Sequence, residues 1–469
     1  MSNIIIPFRA NLLQSLGSPF KMTITTTGTF TLPLQDGDTN MTVYWGDGNS
    51  DVITVYNQGD LAYTYSGAGT YQITLDGSFY GIRFVNGGDK LKVDSIDQWG
   101  TNQWGNMDNA FYGCSNMVGT YTDSLDTSLV TSMVNAFRSC TNFNGAVDFD
   151  TSSATTMAAM FQSCTNFSQP ITFNAPLVTT MSNMFRDCIN FNQPINITSS
   201  SLLLDIQRMF QVASIFNSSL TISDTSSVNT MLAMFQQCTN FNQPLTFNTS
   251  NVTNMSYMFY LAANFNGTLT FSDTSSVNTL SNMFNGCNNF NKNINFDTSS
   301  VTTTINMFAN CLIFNKPITF IAPVVTTMSN MFDGCAGLNQ PINITSSSLL
   351  LDIQRMFQKA SSFNSILTIS DTSGVTTMLS MFQQCTNFNQ DISAFQINAL
   401  TNASFMFYLS GFTQTYYDLL LPAWDAYGTS NVPFHAGTGT TFAAAPAAPG
   451  VAHANMLGRG WTITDGGPI

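Results

Sequence analysis

One short unit, 24 to 26 residues long, recurs through most of this 469-residue chain and limits what the chain can fold into. The most regular position of the unit is a phenylalanine that follows Met or Ala. This anchor occurs thirteen times, at Phe111, Phe137, Phe161, Phe185, Phe210, Phe235, Phe259, Phe284, Phe308, Phe332, Phe357, Phe382 and Phe407. A unit this short cannot enclose its own core, so each copy must bury its apolar residues against its neighbours.

The pattern inside the unit predicts its local structure. Counted from the anchor, Val, Leu or Ala usually falls at position −7, Met at −4 and −1, Cys or Ala at +3 and Phe at +6, a helical rhythm. Positions +10 to +12 alternate as a short strand does, for example from Ile171 to Phe173. The sequence therefore predicts a mainly β fold, a right-handed leucine-rich-repeat β-solenoid of about 13 coils over residues 107–413. At about 4.8 Å per coil, it would be roughly 60 Å long.

A longer repeat overlies the short one. The string QPINITSSSLLLDIQRMFQ begins at Gln193 and again at Gln340, which is 147 residues or six coils later, so blocks of coils have been duplicated. The coil VTNMSYMFYLAANFNGTLTFSDTSSV, from Val252 to Val277, resembles the BspA-type leucine-rich repeats and the related surface-protein repeat of mycoplasmas. This resemblance implies a surface-exposed adhesion or recognition protein, and that family also has members among viral and phage structural proteins.

The region before the repeats carries a different pattern. Residues 23–82 alternate apolar and polar residues between frequent turns, which predicts a small antiparallel β-sandwich. The motif WGDG, which contains Trp45 and Asp47, and the later strings YTY and GTYQITL resemble the polycystic-kidney-disease (PKD) domain. The resemblance implies a seven-stranded immunoglobulin-like fold, although Tyr63 stands where that family often has His. We expect Asp47 to shape the turn, because one carboxylate is a poor ligand set for Ca²⁺.

Three further segments flank these modules. Residues 1–22 fit neither pattern and are predicted to be an arm for attachment or oligomerisation. Residues 83–106 are predicted to cap the first coil with Trp99 and Trp104, since the ends of a solenoid need covers. Residues 414–469 are predicted to cap the last coil, with an amphipathic helix from Tyr416 to Tyr427 that Pro422 interrupts.

Residue types that often carry chemistry occupy fixed repeat positions here, which indicates structural roles. All nine cysteines lie at +3, where other coils have Ala or Ser, so we expect buried free thiols, with metal binding or disulfides as the alternative. Asn at +7 is typical of an asparagine ladder that serves buried backbone groups, and Asp-Thr-Ser before the anchor indicates a turn, not an aspartic-protease triplet. The structural positions predicted on this basis are Phe137, Phe161, Phe185 and Phe235, Cys140, Cys164 and Cys188, and Asn192, Asn242 and Asn266. Trp45 and Asp47 are also predicted to be structural, because they belong to the WGDG motif.

Composition limits the classes of partner. The net charge is −13 and the thirteen Lys and Arg are scattered, which argues against nucleic-acid binding. Apolar runs are too short to span a bilayer, so membrane insertion is not expected. Both histidines, His435 and His453, lie in the C-terminal segment, so no Ser-His-Asp or Cys-His site can form in the solenoid. We expect no cofactor and no enzymatic activity.

Two functional interpretations remain open. The first is a virion surface protein, such as a spike, fibre or capsid decoration, with host glycans or protein receptors, other virion proteins and copies of itself as partners. The start of the chain lacks the pattern of a secretory signal peptide, which favours this interpretation, because virions are assembled inside a cell. The alternative is an extracellular adhesin on the surface of a bacterium or protist.

Overall fold

The N-terminal part of the chain folds into two β-sheets in this computed structural model, which describes residues 17–469. Its strands are β1 (Phe20–Thr26), β2 (Thr29–Thr31), β3 (Asn40–Tyr44), β4 (Ser50–Ile53), β5 (Ala62–Thr64), β6 (Gly69–Ser78), β7 (Val93–Gln98) and β8 (Val118–Gly119), with 3₁₀ helices at Gly59–Leu61 and Lys90–Lys92. Six strands form one sheet in the order β4-β3-β6-β1-β7-β8, and β2 pairs with β5 in the other. Alternate residues of β1 are fully buried, as expected for a strand with one face on a core.

The structure moves two predicted domain boundaries. The predicted arm, residues 1–22, overlaps β1, so residues 20–22 belong to the sheet, while residues 1–16 lie outside the described part. The predicted cap, residues 83–106, is not a separate module, because its strand β7 pairs antiparallel with β1 and parallel with β8. Trp99 and Trp104 do cover the first coil, with their rings 6.0 and 6.1 Å from that of Phe111. The relation to PKD domains stays a prediction.

Each coil of the solenoid contributes one short strand at most, and these strands pair in parallel within three separate small sheets. These strands are β9 (Ile171–Asn174), β10 (Ile195–Thr198), β11 (Leu220–Ile222), β12 (Leu245–Phe247), β13 (Leu269–Phe271), β14 (Ile318–Ile321), β15 (Ile342–Thr345) and β16 (Leu367–Ile369). Eleven further bridges, from Ser132 to Asn402, join consecutive coils along a second line. The mainly β solenoid is therefore confirmed, and this line of bridges gives about 11 turns, close to the predicted 13.

The half of each coil with the helical rhythm is not a helix. Its residues at −2 and +2 have positive φ in coil after coil, as at Asn135 (56°) and Ser139 (59°), and this left-handed conformation stops helical propagation. Backbone N–H groups at −4, −2, 0 and +2 instead donate to carbonyls of the next coil. Phe235, for example, donates to Met258 at 2.8 Å. This half of the coil is therefore also held by hydrogen bonds between coils.

Two columns of stacked aromatic rings form the core of the solenoid. Consecutive anchor phenylalanines have ring centroids 5.4 to 5.7 Å apart along the whole series. Nearly every coil adds a second phenylalanine at +6, such as Phe241, whose ring lies 4.2 Å from that of Phe235. These rings are buried, so one core runs through all the coils and continues into the N-terminal sheet.

The C-terminal cap is built from α1 (Gln414–Asp425), β17 (Pro433–His435), α2 (Ala448–Gly458) and β18 (Thr462–Thr464). The predicted interruption at Pro422 is wrong, because α1 continues through Pro422 to Asp425. A proline removes only one N–H, and the helix ends within a turn after it. The sequence analysis missed α2 in its Ala- and Pro-rich stretch. The last coil is extended by β17, since Ala403 pairs with Phe434.

Candidate functional site

The most regular exposed surface lies on the strand side of the solenoid. The middle residue of nine consecutive strand segments is Thr or Asn, and it points outward while its neighbours point into the core. We call these residues the strand-face array: Thr172, Asn196, Thr221, Thr246, Thr270, Asn295, Thr319, Asn343 and Thr368. Parallel strands lie about 4.8 Å apart, so the array is a straight row of polar groups about 38 Å long.

The side chains of the strand-face array are free to meet a partner. Within residues 17–469 they make no intramolecular hydrogen bond. A second exposed threonine column, at position −6, behaves differently. Thr155 donates its hydroxyl to the carbonyl of Thr131 at 2.9 Å, and Thr302 donates to Asn278 at 3.0 Å. Of these two threonine columns, the strand-face array is therefore the one whose side-chain donors and acceptors are unused within residues 17–469.

The asparagines at +7 form one column, as the sequence pattern indicates, but they lie at the surface. The side-chain oxygen of Asn192 accepts a hydrogen bond from the backbone N–H of Asn217 at 2.8 Å, and Asn242 accepts from Asn266 at the same distance. Asn192 and Asn242 are exposed, so the ladder serves backbone N–H groups at the surface, whereas buried backbone groups were expected. The chain turns towards the strand at this position. Within the described residues, the backbone N–H groups there have no strand partner, and each is bonded instead by the asparagine of the preceding coil.

The nine cysteines are buried free thiols. Each of eight of them donates to the carbonyl of the anchor phenylalanine in the preceding coil. Cys140 lies 2.9 Å from the oxygen of Phe111, and Cys164 lies 2.8 Å from that of Phe137. Burial raises the pKa of all nine thiols, which keeps them protonated. Protonated, enclosed thiols are poor nucleophiles and poor metal ligands.

The Asp-Thr-Ser segments close a turn in each coil that contains one. Asp150 accepts from the backbone N–H of Ser152 at 2.9 Å, and hydrogen bonds from Ser152 lower the pKa of this carboxyl. The neighbouring Thr151 is buried and donates its hydroxyl to the carbonyl of Asn174 in the next coil at 2.6 Å. The sequence analysis missed this buried threonine column. The signal was the recurrence of Thr between Asp or Asn and Ser in seven coils.

Trp45 and Asp47 both serve the N-terminal fold. The indole of Trp45 is fully buried, stacks on Tyr63 at 4.7 Å and donates to Asp51 at 2.7 Å. Asp47 accepts from the N–H of Asn49 at 3.0 Å and from the hydroxyl of Tyr63 at 2.6 Å. Both carboxylate oxygens of Asp47 are therefore engaged in the turn. No cluster of metal-ligating side chains occurs among residues 17–469.

One cluster of titratable groups lies in the C-terminal cap. Tyr417 donates its hydroxyl to Asp465 at 2.7 Å, and Nε2 of His453 lies 3.0 Å from the same carboxylate oxygen. Burial raises the pKa of Asp465, but the close contact with His453 and the hydrogen bonds from Tyr417 and the N–H of Gly467 outweigh it and lower that pKa. The cluster links α1, α2 and the segment after β18, so it stabilises the packing of these three elements against one another.

Known proteins show one clear likeness. Six overlapping segments match the family described as Mycoplasma protein of unknown function, DUF285, at residues 82–195, 146–246, 169–270, 245–345, 266–369 and 326–425. Together they span residues 82–425, which is well over half of the chain. No curated protein and no solved structure matches the chain. No helix in the described part of the chain is long and apolar enough to cross a membrane.

Proposed function

Because this chain belongs to the DUF285 family, we propose that it is a non-enzymatic surface protein whose stacked coils present one repeated face for attachment or assembly. The strand-face array is the observation that carries this proposal. Its nine residues are exposed, and their side chains make no hydrogen bond within residues 17–469. Such a row forms many weak polar contacts, and these add along the array and across several copies of the protein.

The groups that could perform catalysis support the same proposal because they already have structural partners. The thiols are enclosed beside backbone carbonyls, the Asp-Thr-Ser carboxylates close turns, and His453 packs on Phe442 with ring centroids 4.2 Å apart. The outward residues at the centre of the strand segments are threonine and asparagine. These side chains suit recognition by hydrogen bonding.

The proposed setting is a virion surface, where the protein would be a spike, fibre or capsid decoration that contacts host glycans or receptors, other virion proteins or copies of itself. The resemblances to BspA-type repeats, PKD domains and viral members belong to this proposal. The second candidate is a bacterial or protist cell-surface adhesin. The description of the matched family, which refers to mycoplasma proteins, favours that second setting.

Labelling experiments decide between the settings. Gold-labelled antibody against the whole chain should mark intact native virus particles in electron micrographs if the first proposal holds, and intact cells if the second holds. Label found only inside broken cells or particles contradicts both proposals.

A variant of the strand-face array tests whether its exposed threonine side chains mediate attachment. The quadruple change Thr221→Ala, Thr246→Ala, Thr270→Ala and Thr319→Ala should weaken attachment of a multimerised protein to host cells or to its own particle. The control makes the same change at Thr155, Thr253, Thr302 and Thr326, on the other exposed threonine column. Equal attachment by both variants contradicts the assignment to the strand face, as does turnover of any ligand.

A further inference from the structure

Two coils carry a partly exposed cluster of aromatic and leucine side chains. The clusters lie on the side of the solenoid that contains positions −2 to +2 of each coil. The first, which we call patch 1, consists of Tyr257, Tyr260 and Leu261, and patch 2 consists of Phe405, Tyr408 and Leu409. The two rings in each patch meet edge to face, with centroids 5.5 Å apart in patch 1 and 6.0 Å apart in patch 2. The patches occupy the same three positions, −2, +1 and +2, of two coils that lie six coils apart.

The backbone makes these residues unfavourable for stability. Tyr257 and Phe405 have φ of 59° and 57°, and Leu261 and Leu409 both have φ of 58°. Asn tolerates the left-handed region better than bulky side chains do, and six of the thirteen coils have Asn at −2. In these two coils both left-handed positions hold large apolar or aromatic residues instead, and these residues lie partly exposed outside the buried core. Strain held at an exposed position is an indication of function.

The coils beside both patches are rich in amides, and patch 2 also contacts His435, whose ring lies 6.0 Å from that of Phe405 and whose pKa is lowered by burial. Gln236 precedes Tyr260 by one coil in the same column, and Gln383 precedes Tyr408 in the same way. The side-chain oxygen of Gln236 accepts from Gln211 at 2.9 Å, and that of Gln383 accepts from Gln358 at 2.6 Å. Within residues 17–469, the side-chain amide nitrogens of Gln236 and Gln383 donate no hydrogen bond, so they are available to a ligand. No Asp, Lys or Arg occurs in residues 232–240, 256–264, 281–289, 379–387 or 404–412.

We propose that patches 1 and 2 are two binding sites for neutral carbohydrate. The apolar C–H face of a pyranose ring would stack on Tyr257 or Phe405, and the amide N–H groups of Gln236 or Gln383 would donate to its hydroxyls. A protein partner fits less well, because three side chains supply far less surface than the roughly 1,200 Å² of a specific interface. Missing cations disfavour sialylated or sulfated glycans, which need positive partners.

The spacing of the patches predicts bivalent binding. Six coils at about 4.8 Å place them about 29 Å apart on the same side of a rigid body. A surface that displays many glycans can then occupy both sites of one molecule, and the second contact forms at high effective concentration. The inference goes beyond the proposed function, because it assigns a ligand class to another side of the solenoid and does not depend on the strand-face array.

Substitution by Asn tests the proposal, because Asn suits the left-handed backbone. The full chain is applied to immobilised neutral tetrasaccharides of glucose, galactose and N-acetylglucosamine, with a sialylated and a sulfated oligosaccharide in parallel. Tyr257→Asn or Phe405→Asn alone should weaken binding to a neutral glycan about tenfold, and the double variant should abolish it. The melting temperature of the double variant should equal or exceed that of the parent, since strain is relieved.

Matched controls separate this outcome from damage to the fold. Arg355→Asn changes another left-handed −2 residue outside the patches and should leave glycan binding unchanged, and Tyr257→Phe should retain it. The quadruple strand-face variant should also bind neutral glycans as the parent does, so this proposal and the proposed function can fail separately. Absence of any neutral glycan binding, binding of anionic glycans alone, or unchanged binding by the double Asn variant overturns the proposal.

Discussion

Phe235→Ala in a central coil measures how strongly each coil depends on its neighbours. The ring is fully buried and lies between Phe210 at 5.4 Å and Phe259 at 5.6 Å, with Phe241 of its own coil at 4.2 Å. Removal of a core phenylalanine costs about 3 to 5 kcal/mol through lost burial and an unfilled cavity. Three aromatic contacts of about 0.5 kcal/mol each or more are lost as well, so we expect a value near the upper end, about 4 to 5 kcal/mol.

The assay is unfolding in guanidinium chloride, combined with hydrogen exchange read by mass spectrometry. The free energy of unfolding reports the total loss. Hydrogen exchange locates it, because in a repeat protein the damage first affects the coils that touch the changed one. Amides from the coils of Phe210, Phe235 and Phe259 should exchange faster, while those of the N-terminal sheet should exchange as in the parent.

Ile366→Ala is the matched control, since this residue lies in the same solenoid but is 63% exposed. Its free energy of unfolding should change by no more than about 0.5 kcal/mol. A loss below about 1 kcal/mol for Phe235→Ala would refute the stacked-core reasoning. So would faster exchange spread evenly over the chain, because neighbour coupling predicts a local effect.

The remaining predictions concern the thiols, the ladder and the cap. At pH 8 iodoacetamide should label none of the nine cysteines in the native protein and all nine after unfolding, because burial raises their pKa, and native mass spectrometry should find no disulfide. Asn242→Ala should destabilise the protein by about 1 kcal/mol through the lost acceptor of the Asn266 N–H, whereas Asn343→Ala, on the strand face, should be neutral in the same melts. The lowered pKa of Asp465 stabilises the cap above the ordinary value of 3.8, so the protection of α1 and α2 from hydrogen exchange, taken relative to the intrinsic exchange rate at each pH, should fall as the pH drops below it, and Asp465→Asn should remove that pH dependence.

Several elements of the fold could be predicted from the sequence because repetition fixes which side chains are equivalent. A phenylalanine every 24 to 26 residues requires coils that stack ring upon ring, and the cysteines share the position +3 with Ala and Ser, which indicates burial. The alternation from Ile171 to Phe173 placed a strand and its exposed residue correctly. The row of outward Thr and Asn residues follows from the same alternation.

Only the tertiary structure decided how the backbone satisfies its hydrogen bonds. The rhythm around Phe235 suits a helix, but its N–H donates to Met258 in the next coil, and residues on either side of the anchor become left-handed as a result. For the same reason the asparagines lie at the rim, and β7 joins the N-terminal sheet through β1. The periodicity of side chains can be recognised within a single repeat unit. These hydrogen bonds join backbone groups one coil or more apart, so no pattern within one unit predicts them. The strained aromatic residues at Tyr257 and Phe405 are therefore visible only once the coils are stacked.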